Sequence, residues 1–162
     1  FHDCTAELKF QNKSGETSRG LLFRGDGHLD GEHTTYALWL AYTAGGSFSI
    51  WRYDEGHAVN IHPWTRSDLI NVGEGETNTL RLSTSGGIFD LYINNVLTTT
   101  VSDLELSFGH VGIGVAPGNE VWFDEISCYH SAVPPTAGSI PDPGVALDRQ
   151  FDHAGHLMDN IV

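Results

Sequence analysis

Aromatic rings set among hydrogen-bonding side chains are the chemistry this sequence offers most often. Trp51-Arg52-Tyr53-Asp54-Glu55 and His62-Pro63-Trp64-Thr65-Arg66 each place a large ring beside Arg, Asp, His or Thr. A ring face can cover the apolar side of a sugar while polar neighbours meet its hydroxyls. Trp51, Arg52, Tyr53, Asp54, Trp64 and Arg66 are therefore the candidate ligand-binding residues, with Trp64 and Arg66 the better placed for a surface. Trp39 sits in the apolar run "YALWLAY" and reads as core, a reading that Trp51 also admits.

Other chemistries have weaker ingredients. Retaining glycosidases need two carboxyl groups about 5–5.5 Å apart. In "EVWFDE", Glu120 and Asp124 share a strand face but are separated by roughly 13 Å at about 3.3 Å per residue, with Trp122 between them. No catalytic residue is assigned, and the chain reads as a non-enzyme. It also has no Gly-x-Ser-x-Gly elbow, no His-Glu-x-x-His pair and no phosphate-binding loop. Asp26, Asp30 and Glu32 in "DGHLDGE" offer hard oxygen donors for calcium from a glycine-rich loop. The position that closes a calcium-hand loop is Ala37 rather than Glu, so a solvated acidic loop is the alternative. His57 with His62, and His153 with His156, are pairs too small for a zinc site on their own.

The elements that must position these groups read as strands. Ala6, Leu8 and Phe10 alternate with polar residues; "RGLLFR", "TTYALWLAY", "GSFSIWRY", "NTLRLS", "HVGIGV" and "NEVWFDEISC" continue the pattern between Gly-, Asp- and Asn-rich turns. Gly45-Gly46 and Gly86-Gly87 mark turns. In "FDLYINNVLTTTV" the alternation of Phe89, Leu91 and Ile93 breaks at Asn94-Asn95, which predicts a tight hairpin, since Asn tolerates positive φ. Val121 and Phe123 differ in parity from Ile126 and Cys128, which predicts a bulge near Asp124-Glu125. About ten strands and no helix before Tyr129 predict an all-β, antiparallel two-sheet sandwich.

Composition narrows the function classes. The 162 residues suit one domain. Eight Lys plus Arg against 21 Asp plus Glu give a net charge of -13, which argues against a nucleic-acid partner. No run approaches the roughly 20 apolar residues of a membrane span. A start at Phe1 without a charged-then-apolar leader reads as a processed or excised piece. Cys4 and Cys128 bracket the strand-rich region and suit a disulfide, hence a secreted, extracellular setting, or else two buried thiols. Asn12-Lys13-Ser14 is a formal glycosylation triplet.

Residues 1–130 thus form the strand domain. "SAVPPTAGSIPDPG" carries four of the six prolines, so 131–144 read as a Pro/Gly-rich linker. Residues 145–162 read as a docking tail: Leu147, Phe151, Ala154, Met158 and Ile161 fit one helical face, although an exchanged strand is the alternative.

The segments "GLLFR", "YALWLAY", "FSIWRYDEG", the stretch 63–101, "GHVGIGV" and "VWFDEI" together resemble concanavalin A-like, laminin-G-like jelly-roll domains of secreted proteins. Within these, the chain is similar to family-16-glycosidase-like modules of unknown function and fructan-binding modules. The resemblance implies a jelly roll, and it is compatible with lectins, glycosidases, adhesion modules and spacers alike. Similar domains carry a further opening strand ahead of the one that begins here near Phe1. Its absence implies an unpaired sheet edge, which the tail of this chain or of another subunit could complete. The expected function is a non-catalytic carbohydrate-binding or adhesion module for a glycan or cell-surface polysaccharide. The alternative is a structural subunit of an extracellular assembly, a homo-oligomer held by its tail or open edge.

Overall fold

The computed structural model describes residues 3–26, 35–42 and 45–130. The linker and tail expected over 131–162 lie outside the described residues. Ten strands form among them: β1 (Thr5–Ser14), β2 (Arg19–Gly25), β3 (Thr35–Ala41), β4 (Ser47–Asp54), β5 (His57–Arg66), β6 (Thr77–Ser85), β7 (Ile88–Ile93), β8 (Val96–Ser102), β9 (His110–Val115) and β10 (Glu120–Tyr129). They make two antiparallel five-stranded sheets, sheet A in the order β10-β1-β6-β7-β8 and sheet B in the order β5-β4-β3-β2-β9.

Period-two patterning builds the core as expected. Sheet A turns in Leu8, Phe10, Leu80, Leu82, Phe89 and Leu91; sheet B answers with Leu21, Phe23, Tyr36, Leu38, Leu40 and Ile50. Burying each such side chain contributes about 1.5–3 kcal/mol before chain entropy is counted. Phe23, Tyr36 and Phe89 join the two layers, with ring centroids 4.9 to 5.4 Å apart. Among the described residues no helix is long and apolar enough to cross a membrane.

The predicted turns form. Asn94 and Asn95 adopt φ of 49° and 68°, the left-handed pair that a tight hairpin between β7 and β8 requires. In β10, Glu125 pairs with Lys9 and Phe123 with Phe10, so Asp124 is the extra residue of the expected bulge. The strand without a sequence signal is β5: it is an edge with two register shifts and exposed residues along most of its length, so alternation has nothing to report. Pro63 is tolerated there because an edge strand leaves one side of its backbone unpaired.

Among the described residues, the opposite rim of the sandwich ends on β9 and β10. Ile113 pairs with Leu21, Ile126 with Leu8 and Phe123 with Phe10, so all three share the inner faces of their sheets. Their partners are fully buried, yet Ile113, Phe123 and Ile126 are 36%, 36% and 45% exposed. Strands β9 and β10 end their sheets, and among the described residues no strand lies beyond them.

Two sequence expectations need correction. Cys4 and Cys128 are free thiols rather than a disulfide. Cys128 pairs with Ala6, so Cys4 meets it diagonally. Burial, followed by the hydrogen bond with Cys4, pushes the Cys128 thiol up. Asn12 of the glycosylation triplet is buried, and its Nδ2 donates to the Gly73 carbonyl at 3.1 Å.

Candidate functional site

Along β3, Tyr36, Leu38 and Leu40 point inward, so Ala37, Trp39 and Ala41 face away from the core. The register with β4 sets Thr35 beside Tyr53, Ala37 beside Trp51 and Trp39 beside Ser49. On the other flank Trp39 pairs with Gly20 of β2, and Gly20 pairs with Gly114 of β9. Ala37 leads in the same way to Leu22 and Gly112. The outer face of sheet B thus carries three half-buried rings, Trp39, Trp51 and Tyr53, over small residues.

The glycines decide how Trp39 lies. A Cβ on Gly114 would stand 2.4 Å from Cη2 of the Trp39 indole, and one on Gly20 would stand 1.8 Å from the Leu38 carbonyl oxygen. Only bare backbone admits the benzo edge of Trp39 over β9. At the other end of the indole, Nε1 donates to the Tyr53 hydroxyl at 3.2 Å. The ring is held at two points and keeps a partly exposed surface. Asn60 of β5 pairs with Trp51, and its Nδ2 donates to Ser49 Oγ at 3.4 Å. Rings and a side-chain amide therefore share one surface, a combination suited to stacking and hydroxyl recognition.

No protein-family model matches the chain, and no curated protein matches it in sequence. Solved structures do match. The chain is similar to the carbohydrate-binding module CBM66 from Bacillus subtilis, with a TM-score of 0.68 and 19% identity over 80% of this chain and 76% of that one. It is similar to sheep galectin-11, solved in complex with glycerol, with a TM-score of 0.60 and 11% identity over 80% and 91% of the two chains. A mutant of the GH43 protein BlXynB from Bacillus licheniformis matches with a TM-score of 0.54 and 13% identity, over 79% of this chain but 27% of that one. The fold is a concanavalin A-like jelly roll.

Within the jelly roll the six ligand-binding candidates part company. Trp51 and Tyr53 lie on the ring face just described. Arg52, one residue out of phase, points the other way: its Nη1 meets Asp103 Oδ2 at 2.5 Å, and the Tyr36 hydroxyl donates to Asp103 Oδ1 at 2.5 Å. Burial would raise the Asp103 pKa. Hydrogen bonds from Tyr36, the Glu105 backbone N–H and Arg52 outweigh it and hold the carboxyl below its ordinary range. Tyr36 is pushed up to about 12, first by burial and then by its bond to Asp103. Arg52 thus belongs to a half-buried cluster that ties β4 to the segment after β8.

Asp54 closes the β4–β5 hairpin opposite His57, around Glu55 and Gly56 at φ of 44° and 81°. Trp64 is 44% exposed, in the irregular stretch of β5 between the partners of Phe48 and Ile50. Arg66 pairs with Ser47 at the far rim and reaches Asp68 at 3.4 Å. His62 stacks on Phe48 with centroids 4.9 Å apart, while His57 sits at the distant turn, so this pair does not converge.

Of the calcium set, Asp26 follows β2 and is exposed, whereas Asp30 and Glu32 lie outside the described residues, as do His153 and His156. The bulged Asp124 is held by Lys9 at 2.5 Å, and Trp122 carries Lys13 3.6 Å from its ring centroid, so Glu120 and Asp124 do not form a carboxylate pair.

Trp39 is the residue that sequence reading misplaced. Its signal was the parity of "YALWLAY": Tyr36, Leu38 and Leu40 form one face, and Trp39 belongs to the other with two alanines.

Proposed function

We propose that this chain is a secreted, non-catalytic carbohydrate-binding module that stacks sugar rings on the outer face of sheet B. The observation that carries the reading is the Trp39 indole, seated over Gly114 and oriented by Tyr53, beside Trp51 and Asn60. A ring held in place before the ligand arrives spares the ordering cost that a mobile side chain would add on binding. The likeness in fold to a carbohydrate-binding module and a galectin supports the same reading. The separate engagement of Asp124 supports a module without hydrolytic chemistry. Polymeric glycans of the extracellular space are the proposed partners.

The test is retardation of the native protein in gels containing soluble polysaccharides, with and without a chelator because Asp26 opens the acidic loop proposed as a calcium site. Trp39→Ala is expected to lower affinity at least tenfold with an unchanged far-ultraviolet spectrum. Unchanged retardation of that variant would remove the ring face as the binding site.

One observation favours a second reading. The exposed inner residues Ile113, Phe123 and Ile126 on terminal strands suit a subunit of an assembly that adds a strand or an apolar segment at this rim.

A further inference from the structure

Resting on the glycan-binding reading, we infer that the ring face continues across β5 to Trp64, so that the module grips a run of several linked sugars and not a single sugar. Between Thr65, the partner of Phe48, and His62, the partner of Ile50, β5 has two residues, Pro63 and Trp64, where β4 has only Ser49. Phe48 and Ile50 belong to the core, so Thr65 and His62 share their inner side and Trp64 takes the outer one. Arg66, the next outward residue, pairs with Ser47 and keeps an exposed guanidinium 3.4 Å from Asp68. Ser49 faces outward in the row of Trp39 and Trp64, yet it is fully buried, so the side chains around it close over it.

The bulge fixes the backbone that carries Trp64. The Ser49 hydroxyl donates to the His62 carbonyl at 2.9 Å, and the Thr65 hydroxyl donates to the Pro63 carbonyl at 3.0 Å. The His62 ring stacks on Phe48 with centroids 4.9 Å apart, and Pro63 restricts the chain just before the indole. Trp64 is nevertheless 44% exposed. At the opposite edge of the sheet the benzo edge of Trp39 lies over Gly114 of β9. Trp39, Trp51 and Trp64 thus occupy a surface that runs across all five strands, roughly 19 Å at about 4.8 Å per strand gap. By strand spacing and rise, their Cα atoms are roughly 8–10 Å apart, so one sugar ring meets one indole and contact with all three takes linked sugars. Each further sugar along that line brings another apolar face onto a ring, and Arg66 supplies donors for hydroxyls at the β5 end.

The experiment first finds a retaining polymer by gel retardation of the full chain in soluble glucan, mannan, fructan and polygalacturonate, then titrates oligosaccharides of that polymer, from monosaccharide to hexasaccharide, by calorimetry. Affinity is expected to rise about tenfold or more between disaccharide and hexasaccharide, and Trp64→Ala to remove that rise with an unchanged far-ultraviolet spectrum. Trp64→Phe, which keeps a ring, should restore part of it. Affinity already complete at the monosaccharide or disaccharide would overturn the inference and leave the glycan reading in place. A rise with length that survives in Trp64→Ala would also overturn the extension to β5. Retardation by no polymer would overturn the glycan reading and this inference together.

Discussion

At the scale of single residues, the balance between Gly114 and Trp39 is the most exposed to test. A methyl group on Gly114 would fall 2.4 Å from the indole, so the ring must leave its seat while the strand, whose other side carries the pairing with β2, can remain. Gly114→Ala is expected to weaken glycan retardation several-fold and shift the tryptophan fluorescence, with little change in secondary structure by circular dichroism. A second residue-scale expectation concerns pH. The fully buried Tyr36 phenol has its pKa raised from 10.0 to about 12, so its neutral form favours the fold. That contribution is complete below the unfolded value near pH 10 and is lost as pH rises through about 12; at about 1.36 kcal/mol per unit it amounts to roughly 2–3 kcal/mol. Thermal melts between pH 9 and 12 should show this loss, and Tyr36→Phe should reduce it. An unchanged alkaline limb in the variant would assign the loss to other groups.

At the scale of elements, the β7–β8 hairpin shows why two adjacent asparagines are not equivalent. Both have positive φ, but Asn94 also accepts at Oδ1 from the Thr79 backbone N–H at 2.8 Å and donates to the Leu69 carbonyl at 2.7 Å and to Asn78 Oδ1 at 3.0 Å. It ties the hairpin to the segment between β5 and β6. Asn95 is exposed and supplies mainly backbone conformation. Asn95→Gly is therefore expected to leave stability within about 0.5 kcal/mol, because glycine adopts this φ readily. Asn94→Gly should cost about 2–3 kcal/mol through lost hydrogen bonds and stranded partners. Urea melts of the two variants check this; equal losses would mean that the turn conformation alone matters. The same element view explains the missed strand: β5 has no buried face to impose alternation, whereas β1, β6 and β7 each have one and were legible.

At the scale of the whole molecule, one rim of the sandwich keeps inward-facing apolar side chains partly exposed among the described residues. Fully covering Ile113, Phe123 and Ile126 would bring each to the burial its cross-strand partner already has. If the rim joins copies of the chain, light scattering of the native protein should give a mass above 17.7 kDa that rises with concentration and returns to the monomer in Ile126→Lys. A monomer at every concentration would discard assembly at this rim and leave the ring face as the proposed interaction surface. Asp124 and Lys9 occupy the solvent side of the same edge, so the variant introduces charge on the inner side without removing that ion pair.

The sequence by itself determined the layered all-β architecture, the Asn94-Asn95 turn and the bulge in β10, because each follows from local rules: alternation, positive φ and a change of parity. It also singled out Trp51 and Tyr53, which share the outer face of sheet B with Trp39. What only the tertiary structure decided was which strands become neighbours. Sheet order brings Gly20 and Gly114, ninety-four positions apart, into one row with Trp39, and that non-local row turns an apparent core tryptophan into a platform. The same pairing turns Arg52 inward to a carboxylate that lies after β8, a partner no spacing within β4 could announce. Side-chain direction is a local property of a strand, but what lies beneath and beside a side chain is set by packing across the sheet.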